Sequence, residues 1–275
     1  MSCPLNVPAR PQYAPSEIYQ NSPFKAGEKA VYAVRYTGIV AGHIYMDVKP
    51  PILHKETWHR HFRTEVKSLE SYENIYRIHD VMESISDSHD FRIAQFLFKQ
   101  DEQSFFSNHF WKQKSLVFDH EHCLVTETIR RENKKDKVKS FALIRGAKDT
   151  LGMIYYLRTL DYEINIPQRT MVYSSEKNWW LETYPIAKEK VTVPAGEFSA
   201  TKLKLTTYLG KELQQQGDVY LWIADTPNRP VVLIHGDVKI GSLRFEMTEY
   251  VPGIQRIPDH AVTNYARPAS LRVVQ

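Results

Sequence analysis

The sequence predicts an all-β fold of mainly antiparallel strands, in which one strongly curved sheet forms an open or incomplete barrel. Short segments of alternating apolar and polar residues recur along the 275-residue chain and are separated by turn residues. Aromatic residues make up 12% of the chain, and the 16 tyrosines suit strands because a tyrosine can bury its ring and keep its hydroxyl in water. Few segments have helical spacing, which favours a sandwich or barrel over a parallel α/β sheet.

The first two strands are predicted at residues 30–36 (AVYAVRY) and 43–48 (HIYMDV), where large and small side chains alternate. Gly38 and Gly42 lie between them, and a glycine within a strand region indicates a bulge or a sharp bend. A bent strand is what a strongly curved sheet requires. The two prolines at 50–51 predict the end of the second strand.

Alternating segments continue to residue 145, stop, and resume from about residue 169 to residue 250. Between them, DTLGMIYYLRTLDYE places Leu151, Ile154 and Tyr155 at helical spacing, directly after an Asp-Thr pair that can cap a helix. The sequence therefore predicts one short helix near residues 149–160. Residues 23–250 are predicted to form a single β-rich domain.

The two ends of the chain lose this periodicity. Residues 1–22 are rich in proline and polar residues, which is typical of a disordered tether, and residues 251–275 predict an irregular extension. Cys3 is either incidental or the acylated cysteine of a bacterial lipoprotein, and such a lipid anchor is the one form of membrane attachment predicted. No apolar stretch has the length of a transmembrane helix.

The charge pattern argues against nucleic-acid binding. The net charge is +4, and the 36 basic and 32 acidic residues are interspersed rather than gathered on one segment. With two cysteines in the chain, Cys3 and Cys123, a framework of several disulfides is excluded, and one bridge between the two stays an alternative.

Two His-x-His pairs are candidate metal ligands. His59 and His61 would share one face of a strand, and His120 and His122 would do the same if DHEH is a strand. The alternative is that all four are ordinary surface or partly buried histidines. No cofactor is predicted.

Three carboxylates within HDVMESISD, namely Asp80, Glu83 and Asp87, are close enough in sequence for two of them to share a face and perturb each other's titration. They carry the best catalytic hypothesis, and the alternative is that they are hairpin and strand-end carboxylates paired with Arg77 or Arg92. No G-x-S-x-G motif accompanies a nucleophilic serine. A catalytic residue is therefore not assigned. The aromatic side chains, including Trp222, would line a face of the sheet and serve either core packing or an apolar ligand cavity.

Several segments together resemble a bacterial family of unknown function, the domain of unknown function numbered 3108. They are, in order, FKAGEKAVYAVRYTGIVAG, HDVMESISD, DTLGMIYYLR, VTVPAGEFSATKLKL and the segment from VYLWIADTPNRP to FEMTEY. The positions that match the family pattern are Gly27, Glu28, Gly42, Asp80, Glu83, Ser84, Asp87, Arg158, Gly196, Trp222, Asp225 and Pro230. The resemblance implies a β-rich exported protein, and the family has no established reaction.

Arg158 on the predicted helix would face Asp80 and Glu83 on the sheet. This trio is interpreted either as a buried ion pair that joins helix to sheet or, with Trp222, as a site for a polar head group. The leading functional prediction is a non-catalytic protein of the periplasm or outer membrane that binds a hydrophobic or cell-wall-derived ligand, such as a lipid or glycan, or an envelope protein partner. The alternative is a hydrolase of envelope polymers, and a structural scaffold is a third interpretation.

Overall fold

A computed structural model describes residues 13–105, 107–210, 212–213, 218–237 and 241–254. The elements are, in chain order, β1 (Lys29–Tyr36), β2 (Ile39–His54), β3 (Thr57–Ser68), a single 3₁₀ turn (Glu70–Tyr72), β4 (Tyr76–Asp87), β5 (Ile93–Ser104), β6 (Ser107–Asp119), β7 (Leu124–Arg131), β8 (Lys134–Ala142), α1 (Thr150–Leu157), β9 (Gln168–Ser174), β10 (Lys177–Val193), β11 (Gly196–Leu209), β12 (Glu212–Leu213), β13 (Val219–Ala224), β14 (Val231–Asp237) and β15 (Ser242–Val251).

All of these strands pair in one antiparallel sheet. Its order is β8-β7-β6-β5-β4-β3-β2-β1-β15-β14-β13-β11-β10-β9, with the short β12 paired to β11. Most strands that follow each other in sequence are therefore neighbours in the sheet, whereas β8 and β9 lie at its two ends. The β1–β15 pair joins the two halves. The all-β prediction is confirmed.

The sheet curls until its two ends approach each other. Met171 and Tyr173 of β9 pack in one buried cluster with Phe118 of β6 and Val125 of β7, and the Phe118 and Tyr173 ring centroids are 5.3 Å apart. In the part of the chain that the structure describes, β8 and β9 share no ladder. An isolated bridge pairs β9 with residue 148 of the preceding loop instead. The sheet is thus strongly curved but not closed, as predicted.

The first hairpin differs from its prediction in two places. Gly38 does not bend a strand: with a φ of +91° it forms the β1–β2 turn together with Thr37. Gly42 does lie inside β2, where a Cβ would come within 2.3 Å of the Lys67 carbonyl oxygen on β3. The prolines at 50–51 do not end β2 either. The β2–β3 register shifts between Lys49 and Ile52, and a proline at such a bulge removes no ladder hydrogen bond.

The helix lies where the sequence predicted it. Asp149 caps α1 by accepting hydrogen bonds from the backbone N–H groups of Leu151 and Gly152, both 2.9 Å long. Its second carboxylate oxygen accepts a 2.7 Å hydrogen bond from the Ser84 hydroxyl of β4. The helix therefore packs on the concave face, against β3, β4 and β9.

A cluster of aromatic rings fixes the middle of α1 to the sheet. Tyr155 of the helix stacks on Phe62 of β3 with 4.0 Å between ring centroids, and Phe24 meets both rings edge to face. Phe91, in the β4–β5 connection, lies parallel to Phe62 at 6.3 Å. All four side chains are buried. Ring contacts of this kind add to the free energy of burial.

The structure differs from the predicted tether at residues 13–22. Ile18 and Tyr19 are buried, and the Tyr19 hydroxyl donates to the Lys49 carbonyl and accepts from the His61 N–H. The proline content indicated a tether, but these two apolar side chains anchor the segment to the core. Residues 1–12 and 255–275 lie outside the described residues, so the tether and the C-terminal extension remain predictions there.

Candidate functional site

An apolar cavity of about 200 Å³ lies between α1 and the concave face of the sheet. It is lined by side chains from both halves of the sheet and from one side of the helix: Tyr32, Ile44, Met46, Thr64, Met82, Thr150, Leu151, Ile154, Val231, Ile234 and Phe245. None of them carries a formal charge. The cavity can therefore recognise a ligand by its shape and its apolar surface.

The strand register brings these side chains together. Met46 of β2 lies opposite Thr64 of β3, which lies opposite Met82 of β4, and directly opposed residues project from the same face of a sheet. Tyr32 and Ile44 form the next opposed pair along β1 and β2. The alternation in the sequence predicts such a face, but it does not indicate which face the helix covers.

The cavity contains an unpaired hydroxyl group. Thr64 is 4% exposed, and its Oγ1 has no hydrogen-bond partner among the described residues. The other buried hydroxyl of the lining, that of Tyr32, donates a 2.7 Å hydrogen bond to the Val231 carbonyl and is therefore satisfied. Burying a hydroxyl without a partner costs free energy. Thr64 is the polar group that a bound ligand would satisfy.

Arg158 does not face Asp80 and Glu83. Its Nη1 and Nη2 donate to the two carboxylate oxygens of Glu28 at 2.7 and 3.0 Å. Its Nη2 and Nε also donate to the carbonyls of Asn228 and Arg229. Burial alone would lower the pKa of Arg158, but the adjacent Glu28 carboxylate raises it. Arg158 does form a buried bidentate ion pair, but its partner is Glu28 and not Asp80 or Glu83. Glu28 is also one of the positions that match the family pattern.

Asp80 and Glu83 project from opposite faces of β4 because their spacing is odd. Asp80 accepts a 3.1 Å hydrogen bond from the Asp101 N–H, and burial raises the pKa of its carboxyl. Glu83 lies 3.1 Å from Nε2 of His61. Burial opposes ionisation of Glu83, but the hydrogen bond and charge of His61 lower its pKa overall. Asp87 accepts from two N–H groups of the following turn and does not join them. The three carboxylates do not converge on one cleft.

Trp222 of β13 belongs to the same buried core cluster as Phe24, Phe62 and Tyr155 and is not among the residues lining the apolar cavity. It is 7% exposed, and its Nε1 donates a 2.7 Å hydrogen bond to Glu189. The four predicted ligand-binding residues, Asp80, Glu83, Arg158 and Trp222, therefore occupy separate places.

The histidine pairs also differ from each other. His59 and His61 do share a face of β3, as predicted, but Nδ1 of His59 is engaged 3.0 Å from the Thr57 carbonyl. His120 and His122 lie in the turn after β6, not in a strand. His120 donates to the Ile93 carbonyl, whereas His122 lies 2.8 Å from an Asp119 oxygen. No group of three or more His, Cys, Asp or Glu residues suited to a metal ion occurs in the described ranges.

The open curved sheet and the cavity beneath its helix define a barrel-like β protein with an apolar interior space. The chain belongs to the family described as protein of unknown function DUF3108, whose model matches residues 31–248. This confirms the resemblance seen in the sequence. No curated protein matches the chain.

One solved structure supports the fold class, and two others are less similar. A β-barrel-like protein of the domain of unknown function DUF1849 from Brucella abortus is 8% identical, with a TM-score of 0.52 over 83% of this chain and 98% of that one. A candidate lipoprotein from Parabacteroides distasonis and a candidate exported protein with a YmcC-like fold from Bacteroides fragilis are 10% and 12% identical. Each has a TM-score of 0.33 over 84% of this chain and 98% of the other.

Proposed function

We propose that the protein is a non-catalytic cell-envelope protein that binds an apolar ligand in the cavity under α1. The observation that supports this most directly is the composition of that cavity: uncharged, largely apolar side chains around a single unpaired hydroxyl. Packing alone would normally fill such a space, because protein interiors leave few voids larger than a water molecule.

The volume limits what the ligand can be. An engineered apolar cavity of about 150 Å³ in another protein binds benzene, whereas drug-sized ligands occupy about 300 Å³ or more. At about 200 Å³, this cavity suits a small ring or one segment of an acyl chain. A single hydroxyl, ester or carbonyl group of the ligand would pair with Thr64.

The alternative function, a hydrolase of envelope polymers, has less support. It requires the carboxylates at positions 80–87 or the histidine pairs to meet around a substrate. Asp80 and Glu83 project from opposite faces of their strand. His122 is an exposed residue of the turn after β6, whereas His59 and His61 are buried on β3. No specific observation favours that reading.

Substitution of Met82 by tryptophan tests the ligand site. Met82→Trp places a larger side chain in the cavity, and we expect the affinity for a one-ring apolar probe, toluene, to fall by about tenfold or more, since the indole takes up the space that the ring would fill. Isothermal titration calorimetry measures the affinity, and circular dichroism verifies the fold.

A matched control is Ile39→Trp, because Ile39 begins β2 and is 62% exposed. This variant should bind the probe as the wild type does. A folded Met82→Trp variant with unchanged affinity would contradict the proposed site. Native mass spectrometry of the wild type, before and after denaturation, would identify any ligand that co-purifies with it.

The envelope location is proposed from the family resemblance. Among the described residues, no helix combines the length and the hydropathy needed to span a bilayer. Cys3 lies outside the described residues, so its acylation remains a prediction. If it is acylated, cells that express the gene with its own export signal will incorporate labelled palmitate into the protein, and Cys3→Ser will abolish the label. A labelled Cys3→Ser variant, or an unlabelled wild type, would exclude a lipid anchor at this position.

A further inference from the structure

A second, polar pocket of about 230 Å³ lies at the other end of α1. Its walls come from the N-terminal segment, β3, the β4–β5 connection and the residues that follow the helix, and they include Tyr13, Asn21, Ser22, Arg60, His89 and Thr159. It shares no lining residue with the apolar cavity. We call it the Arg60 pocket.

Arg60 is the charged group of this pocket, and it is 7% exposed. Its Nη1 donates a 2.7 Å hydrogen bond to the Ser22 hydroxyl, and its Nη2 and Nε donate to the Ser88 carbonyl at 2.8 and 3.2 Å. The guanidinium carbon lies 4.5 Å from the centroid of the Phe91 ring. A guanidinium has five N–H donors, so these three bonds leave two donors without a partner among the described residues.

No carboxylate of the described residues forms an ion pair with Arg60, in contrast to Arg158 with its Glu28 partner. A buried charge without a counterion is costly, because desolvation is not repaid by a nearby opposite charge. Burial accordingly lowers the pKa of Arg60 to about 10, which still leaves it charged at neutral pH.

The neighbouring charged groups do not neutralise it. Glu17 is the carboxylate of the lining, and its Oε2 accepts a 2.8 Å hydrogen bond from the Ala14 N–H. Asp87 acts on Arg60 through its charge, but its ion pair is with Arg92, whose Nη2 lies 3.4 Å from its Oδ2. Lys25, also close to Arg60, adds positive charge. Residues 1–12 contain no acidic side chain.

We propose that the Arg60 pocket binds a small oxyanion, either a carboxylate or a phosphate group, through the remaining N–H donors of Arg60. The planar guanidinium matches the spacing of two oxygens on one such group. The cation–π contact with Phe91 and the three hydrogen bonds hold the guanidinium in place before the anion arrives. This site is independent of the apolar cavity and of the function proposed for it.

Thermal unfolding with different anions tests the proposal. Sodium phosphate and sodium acetate are titrated against sodium chloride at matched ionic strength. We expect phosphate or acetate to raise the Tm by about 2 °C or more in a saturable way, since a ligand that binds only the folded state stabilises it. The anion that saturates at the lower concentration identifies the class. Arg60→Met should lose the rise, whereas Arg169→Met, at an arginine whose side chain is 63% exposed, should retain it.

A measurement on the wild type covers the case in which Arg60→Met does not fold. In nitrogen-15 NMR spectra, the Arg60 Nε–H resonance should shift with phosphate or acetate along a saturating curve and should not shift with chloride. An unmoved Arg60 resonance together with equal Tm values in all three salts would overturn the proposal.

Discussion

Replacing Glu28 with glutamine is expected to lower the free energy of unfolding by about 3–5 kcal/mol. The change removes the negative charge from a carboxylate that accepts hydrogen bonds from Arg158 and from the Tyr250 hydroxyl, and it leaves the arginine charged and buried. Both side chains of the pair are at most 5% exposed, so water cannot replace the lost partner. Urea-induced unfolding followed by circular dichroism measures the change.

A double-mutant cycle separates the pair from its surroundings. Because Arg158→Met removes the charge that Glu28→Gln leaves unpaired, the double variant should lose less stability than the sum of the two single variants. A matched control is Glu182→Gln, which breaks the pair with the exposed Arg169 and should cost at most about 1 kcal/mol. A Glu28→Gln variant as stable as the wild type would show that the pair contributes no net stability.

The pair also bears on the ligand cavity. Arg158 follows the last turn of α1, and its other donors reach carbonyls between β13 and β14. The ion pair therefore holds the C-terminal end of the helix whose other end covers the cavity. The sequence interpretation named Asp80 and Glu83 as the partners of Arg158, whereas the structure pairs Arg158 with Glu28, the residue directly before β1.

Phe62→Ala is expected to cost about 3–5 kcal/mol, because a large buried ring is lost and a hole remains. Phe62 is 0% exposed and contacts the rings of Phe24, Phe91 and Tyr155. A denaturation midpoint shift measures the loss. Phe110→Ala, at a ring that is 42% exposed, serves as the control and should change the stability by well under half as much.

The Phe62→Ala variant has a second expected property. The hole would be lined by aromatic rings and stay dry, so a small apolar molecule such as benzene should raise the Tm of the variant more than that of the wild type. Equal effects of benzene on both proteins would indicate that the surrounding rings collapse into the space.

The sequence was sufficient for the class of the fold. Alternation of side chains along the strands, and the Asp149 cap before a helical segment, are local signals that need no tertiary information. The same local reasoning failed at Gly38, which lies in a turn, and at residues 50–51, where a bulge lets β2 continue through two prolines. It also failed for DHEH, where His120 and His122 both lie in a turn.

The candidate sites depended on information that the sequence does not carry. Thr64 and Met82 belong to ordinary alternating segments, and nothing local indicates that α1 covers their face of the sheet. Arg60 stands between the two histidines of HRH, which support a metal hypothesis, and no local signal distinguishes the arginine from an ordinary surface one. Its burial results from the N-terminal segment, which packs over it from 38 residues earlier in the chain.

The sequence by itself determined the strand-rich fold class, the position of the helix and the family, because periodicity, capping and ordered motifs act over a few residues. The tertiary structure alone decided which carboxylate pairs with Arg158, which face of the sheet becomes the cavity wall and which arginine is buried without a counterion. Those outcomes depend on sheet curvature and on contacts between residues as far apart as Glu28 and Arg158, 130 positions along the chain. Such contacts are set by packing of the whole chain.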